Sequence, residues 1–209
     1  MKKWLAGLII LLLMSIFLTS CNLQKKDEGK NMLIESNPNH KAVLVVAFHG
    51  FQDFEYQDTK KALENFNIKT ITISSKIGEA VGKFGKSINI DKTFSDIDIE
   101  QFGAVIFIGG PGAAEYIEDE SAHQLAREAV EKNKVLGAIC LAPAILARAG
   151  VLQNKKATVW FSKETIDILK NGQAEYIDRP VVVDGKIITA NGPMAAKNFG
   201  QKIGKLLLE

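Results

Sequence analysis

The chain has 209 residues, of which 46% are hydrophobic, and 26 basic against 24 acidic side chains give it a formal net charge of +2. That length and apolar content suit one globular domain with one sizeable core and exclude a disordered or repeat-built chain. So even a charge balance argues against nucleic acid as a partner.

The first twenty residues differ in kind from the rest: Lys2 and Lys3, an apolar run from Leu5 to Leu18, then Thr19-Ser20-Cys21. This is the pattern of a secretory signal. Leu18-Thr19-Ser20-Cys21 also resembles the bacterial lipobox, in which cleavage precedes the cysteine and the new terminal cysteine carries the lipids. Residues 1–20 are therefore expected to be a lipoprotein signal peptide, Cys21 the lipidation site, and the domain an extracytoplasmic one anchored to a bacterial membrane. Asn22 lacks the aspartate associated with inner-membrane retention in Gram-negative cells. The competing reading is a retained membrane anchor, for which Leu5–Leu18 is short. Removing residues 1–20 takes two lysines and no acid, leaving 24 basic against 24 acidic residues. With Cys21 acylated, Cys140 is the one remaining thiol, and no intramolecular disulfide can form. A lone thiol outside the cytoplasm is exposed to oxidants, which favours its being either deeply buried or used.

Residues 21–40 are polar and charged and carry no sustained period, which predicts a flexible tether ending in a solvated His40. The folded domain, residues 41–209, opens with Ala42–Phe48, a near-continuous apolar run expected of a strand buried on both faces. A helix follows His49-Gly50-Phe51-Gln52-Asp53-Phe54-Glu55, with Tyr56, Ala62, Leu63 and Phe66 on one face, and Ile68–Ile73 reads as the second strand. Residues 74–103, with Gly78, Gly82 and Gly85, predict short irregular strands; the glycine spacing is no phosphate-binding fingerprint. Ala104–Ile108 is another buried strand, and it runs into Gly109-Gly110-Pro111-Gly112. Ala122, Leu125, Ala126, Ala129 and Val130 form the stripe of an amphipathic helix, with Ser121 as its cap and His123 off the stripe and solvated.

Val135–Ile139, Cys140 and Pro143–Ala147 read as strand, sharp turn and helix, with the cysteine at the turn. Pro143 suits a first helical turn. The helix aims its amides and positive dipole end at the sulfur, which favours thiolate over thiol. The other reading is a small buried cysteine in a capping turn. Beyond it lie a short strand at Ala157–Trp160, a helix over Lys163–Lys170 closed by Gly172, a hairpin through Asp184-Gly185, and a last helix carrying Ala195, Phe199, Ile203, Leu206 and Leu207. Strands alternating with helices predict a mainly parallel sheet with helices on both faces.

Ligands collect at the carboxyl ends of such strands, and Glu55, Gly109-Gly110 and Cys140 follow three of them. Cys140 would be the nucleophile, the amides of Gly110 and Leu141 would hold an oxyanion, and Glu55 would move protons. A carboxyl beside a thiolate is expected to have a raised pKa. Taken alone, Glu55 also reads as a first-turn acid favoured by the helix dipole.

Gly50–Glu55, Gly109-Gly110, Ala138–Pro143 and Thr189–Pro193, in that order, resemble the motifs of the DJ-1/PfpI (ThiJ) superfamily, and the resemblance covers residues 42–208. It implies a flavodoxin-like α/β three-layer sandwich, a homodimer, a reactive Cys140 at the nucleophile elbow, Glu55 as its carboxyl partner, and oxyanion amides at Gly110 and Leu141. Two family histidines are missing: Leu141 follows the cysteine, and Trp160 stands where another branch has its histidine. His49 is either a substitute or an ordinary strand-end residue. Peptide cleavage, which must protonate a poor leaving amine, is thereby disfavoured.

Three uses of the site remain. The first is an enzyme acting on a small electrophile such as a reactive aldehyde, glyoxalase-like, through Cys140 and Glu55. The second is a non-enzymatic module that senses an oxidant or binds a ligand, and the third is a cysteine amidase or peptidase-like hydrolase. The expected partners are a small electrophile or oxidant and the membrane, through the lipid. No cofactor is expected, and the three histidines have no metal-ligand spacing.

Overall fold

The protein's structure, a computed structural model, describes residues 37–209. The expected signal peptide, Cys21 and the tether as far as residue 36 lie outside the described residues. One compact unit runs from Pro38 to Glu209. It starts with a 3-10 turn at Pro38–His40, where His40 is half-buried, its Nδ1 lying 3.4 Å from the Asn67 carbonyl oxygen, rather than solvated. Among the described residues no helix is long and apolar enough to cross a membrane.

The main sheet has six strands: β1 (Lys41–Val45), β3 (Lys69–Ile73), β6 (Ala104–Phe107), β7 (Val135–Ile139), β10 (Val181–Asp184) and β11 (Ile187–Ala190). Their order is β10-β11-β7-β6-β1-β3, and every pairing is parallel except β10 with β11. The centre of the sheet is apolar from both sides: Ala42 to Ala47, Ala104 to Ile108 and Val135 to Ile139 are buried without a break. That is why these stretches read as unbroken runs and not as alternations. A hairpin formed by β4 (Gly78–Gly82) and β5 (Ser87–Ile90) pairs with β2 (His49–Phe51) as a small second sheet.

Helices α1 (Asp53–Glu64) and α5 (Ala196–Leu208) pack on each other on one face, while α2 (Glu120–Glu131), α3 (Pro143–Arg148) and α4 (Lys163–Asn171) cover the other. The architecture is the α/β sandwich expected. Close approach of α1 to α5 depends on small residues: a Cβ at Gly200 would stand 2.7 Å from Ala62 Cβ, and one at Gly204 would stand 2.5 Å from the Phe66 ring.

Several local expectations give way to neighbours. Asp119, not Ser121, caps α2 by accepting the Ala122 N–H at 2.9 Å. His123 is buried, with Nε2 2.8 Å from the Ile117 carbonyl oxygen, because α2 folds back over the turn before it. After the two-residue strand β8 (Lys156–Ala157), which pairs with β9 (Glu175–Tyr176), the chain leaves the extended ladder, so Trp160 lies in no strand. In the β10–β11 hairpin Asp184 pairs with Ile187, leaving Gly185-Lys186 as the loop, with Gly185 at φ +59°.

Candidate functional site

The elbow is built by backbone. β7 ends at Ile139, and Cys140 takes φ +62°, a left-handed conformation that costs a non-glycine residue about 1–2 kcal/mol. Two hydrogen bonds fix it there: the Cys140 N–H donates to the Ala190 carbonyl at 2.8 Å, and the Trp160 N–H donates to the Cys140 carbonyl at 2.7 Å. The end of β11 and the segment after β8 thus pin the turn from two sides, and the side chain stands half-exposed over the carboxyl edge of the sheet.

Glu55 reaches the same point from α1. The helix starts at Asp53, earlier than the apolar periodicity suggests, with Gln52 as its cap, so Glu55 falls in the first turn and is fully buried. Its Oε2 accepts the Gly109 N–H at 3.1 Å. The turn after β6 has to be glycine for this. A Cβ at Gly109 would lie 2.6 Å from Cys140 Cβ and 2.8 Å from Glu55 Oε2. One at Gly110, where φ is +106°, would lie 2.5 Å from the Gln52 amide nitrogen. The structure therefore brings together all four residues singled out for the reaction: Cys140, Glu55, Gly110 and Leu141.

Their electrostatics differ from the expectation in one respect. Burial pushes the Glu55 carboxyl up to about 7, against the pull of hydrogen bonding to the Cys140 thiol and the Gly109 amide. Burial and the Glu55 charge push the Cys140 thiol up as well, to about 12, while the Gly110 and Leu141 amides pull it down. A preformed thiolate is thus disfavoured while Glu55 is ionised. The reasons are local: α3 is only six residues long, and the sulfur sits beside a carboxylate. The two groups form one coupled unit, which loses its first proton near pH 7 and holds a single shared proton above it.

Above the sulfur lies a cavity of about 300 Å³ lined by Gln52, Lys83, Gly110, Pro111, Cys140, Leu141, Trp160 and Pro193. None of the three histidines lines it. His49 opens β2, exposed and edge-on to the Phe48 ring, and His40 and His123 hold the contacts described above. Trp160 takes the wall position instead; a Cβ at Gly192 would lie 3.1 Å from its ring. A cleft of similar size bounded by Lys41, Lys92, Asp96 and Phe102 contains neither Cys140 nor Glu55. Among the described residues no group of three or more His, Cys, Asp or Glu side chains is placed to hold a metal ion.

Lys83 escaped the sequence reading because it sits in the weakly periodic glycine-rich segment. The glycines on either side, Gly82 and Gly85, were the available signal of a turn that presents it.

Residues 41–206 match the DJ-1/PfpI family. An uncharacterized protein of Methanocaldococcus jannaschii is 36% identical over 200 residues, 95% of each chain. A deglycase of Thermococcus kodakarensis is 33% identical over 166 residues, covering 79% of this chain and 98% of its own. Among solved structures, a ThiJ/PfpI domain protein from Brachyspira murdochii superposes with a TM-score of 0.78 at 33% identity, over 81% of this chain and 96% of the other.

Proposed function

Because the chain belongs to the DJ-1/PfpI family, we propose that it adds the Cys140 thiol to small reactive aldehydes, a glyoxalase-like chemistry in which Glu55 carries the proton. The observation behind this reading is the buried Glu55 carboxyl, held by the Gly109 amide beside a cysteine that opens into a cavity. Sγ attacks the carbonyl carbon while the thiol proton passes to the Glu55 carboxylate. The oxygen gains the negative charge, which the Gly110 and Leu141 amides stabilise, and it then takes the proton back from Glu55. The product is a thiohemiacetal, with nothing oxidised or reduced. On a 2-oxoaldehyde, Glu55 then moves a proton from the former aldehyde carbon to its neighbour through an enediol, and water releases the thioester as a 2-hydroxy acid.

A carboxyl with a pKa near 7 suits both directions of transfer at neutral pH. Relatives carrying the name deglycase support carbonyl chemistry, and a cavity without histidine lacks the Cys-His pair of papain-like peptide hydrolysis. Oxidant sensing is the competing use of the same sulfur, since amides aimed at it would also hold sulfur-bound oxygen. It requires stoichiometric oxidation without turnover. The test is turnover of methylglyoxal by the purified chain: Cys140→Ala should abolish it, and unchanged turnover would sink the reading.

The proposal extends to a homodimer, which rests on the family alone, and to an anchor outside the cytoplasm by lipid on Cys21, supported by the signal-like residues 1–20 and the lipobox resemblance. Incorporation of labelled palmitate, lost in Cys21→Ser, tests the anchor.

A further inference from the structure

The cavity over Cys140 has one cation in its wall and no carboxylate. That cation, Lys83, lies on the turn between β4 and β5. Among the described residues it makes no ion pair, and its Nζ sits 5.3 Å from the centre of the neighbouring Phe84 ring. The turn is held from inside by a buried acid. Asp53, two residues before Glu55 on α1, accepts the Phe84 N–H at 2.9 Å on one carboxylate oxygen and the Lys86 N–H at 2.8 Å on the other. The Gly82 N–H donates to the Lys86 carbonyl and the Lys83 N–H to the Phe51 carbonyl, both at 2.8 Å. Gly82 leaves room for the acid, since a Cβ there would lie 2.6 Å from the Asp53 carboxyl. Both oxygens of this buried acid are committed to backbone N–H groups of the turn, which fixes where the turn lies. What the turn places in the wall is Lys83.

We propose that the cavity selects anionic electrophiles: small aldehydes with a carboxylate or phosphate one or two carbons from the carbonyl. Lys83 holds the anion with the carbonyl carbon at Cys140 Sγ, and Asp53 is a positioning residue acting through the turn. The aldehyde part rests on the function proposed above; the charge preference does not.

Iodoacetate and iodoacetamide are of nearly one size and differ in charge, and in the full chain with Cys21→Ser they have Cys140 as the only target. The ratio of their rate constants, iodoacetate over iodoacetamide, should exceed that of a free thiol and decline as salt rises. It should fall about tenfold in Lys83→Gln and recover in Lys83→Arg. A ratio equal in wild type and Lys83→Gln overturns the proposal. So does a ratio that stays low in Lys83→Arg, which would assign the effect to the turn and not to the charge. Turnover of methylglyoxal and of glyoxylate, an aldehyde that carries a carboxylate, in the same preparations separates the two readings. Turnover without a charge preference refutes the anion site alone; a charge preference without turnover upholds it and refutes the aldehyde reaction.

Discussion

Replacing Glu55 by glutamine tests the proton shared at the centre of the site. With the carboxyl at about 7 and the thiol at about 12, the pair loses one proton near pH 7 and the second near pH 12, and these values belong to the pair. Between them the thiolate form is a constant fraction of the singly charged pair. The rate constant for alkylation of Cys140 by iodoacetamide should therefore rise with pH to about 7, level off, and rise again toward 12. Glutamine keeps the size of the side chain but shares no proton. Its variant should show one rise, with a midpoint above the ordinary thiol value of 9.0, because burial persists, and below 12, because the carboxylate no longer pushes. The first inflection thus moves by at least ~2 pH units, on the order of 3 kcal/mol in proton affinity. The assay is the pseudo-first-order rate against pH in the Cys21→Ser chain. A plateau that survives in Glu55→Gln, or identical single rises in both proteins, would refute the coupling.

The same carboxyl sets a stability cost. Its folded pKa of about 7 lies above the ordinary 4.5, so the native state binds the proton more tightly and loses stability as pH rises from about 4.5 through 7. Glu55→Gln should gain about 3 kcal/mol in urea unfolding at pH 8 and almost nothing at pH 4; an equal gain at both would contradict the cause given. Gly109→Ala forces a methyl between Cys140 and Glu55 and should cost about 1–3 kcal/mol, with at least a tenfold loss of methylglyoxal turnover. Wild-type turnover in that variant would show that the close approach is dispensable. Leu44→Ala, fully buried in the interior strand β1, should cost about 2–5 kcal/mol by urea unfolding. A change under 1 kcal/mol would mean that the sheet's centre collapses around the gap.

The sheet was legible because its central strands are buried on both faces, which leaves an unbroken apolar run that needs no partner to be recognised. Cys140, Glu55 and Gly109-Gly110 were legible because each follows a strand end, where topology brings distant residues together. What the sequence concealed depended on contacts. The thiol's proton affinity is set by burial and a carboxylate 85 positions earlier in the chain, neither of which the helix after Cys140 reveals. Lys83 lies in a segment of no strong period, and its link to Asp53 is a pair of hydrogen bonds from the turn's backbone to that buried side chain. His123 looked solvated on a helical wheel but meets a carbonyl outside its helix.

The seat of α1 on α5 has a mechanical consequence. From the cap and first turn of α1 come Gln52 in the cavity wall, Asp53 behind the lysine turn and Glu55 under the sulfur. A helix shifts as a rod, so these three cannot be adjusted independently. The tolerance with which they align is machined along the rod's own flank, by Gly200 against Ala62, and just past its end, by Gly204 against Phe66. A methyl group added at Gly200, touching no reacting atom, would lever the wall, the turn and the proton carrier out of true in a single displacement.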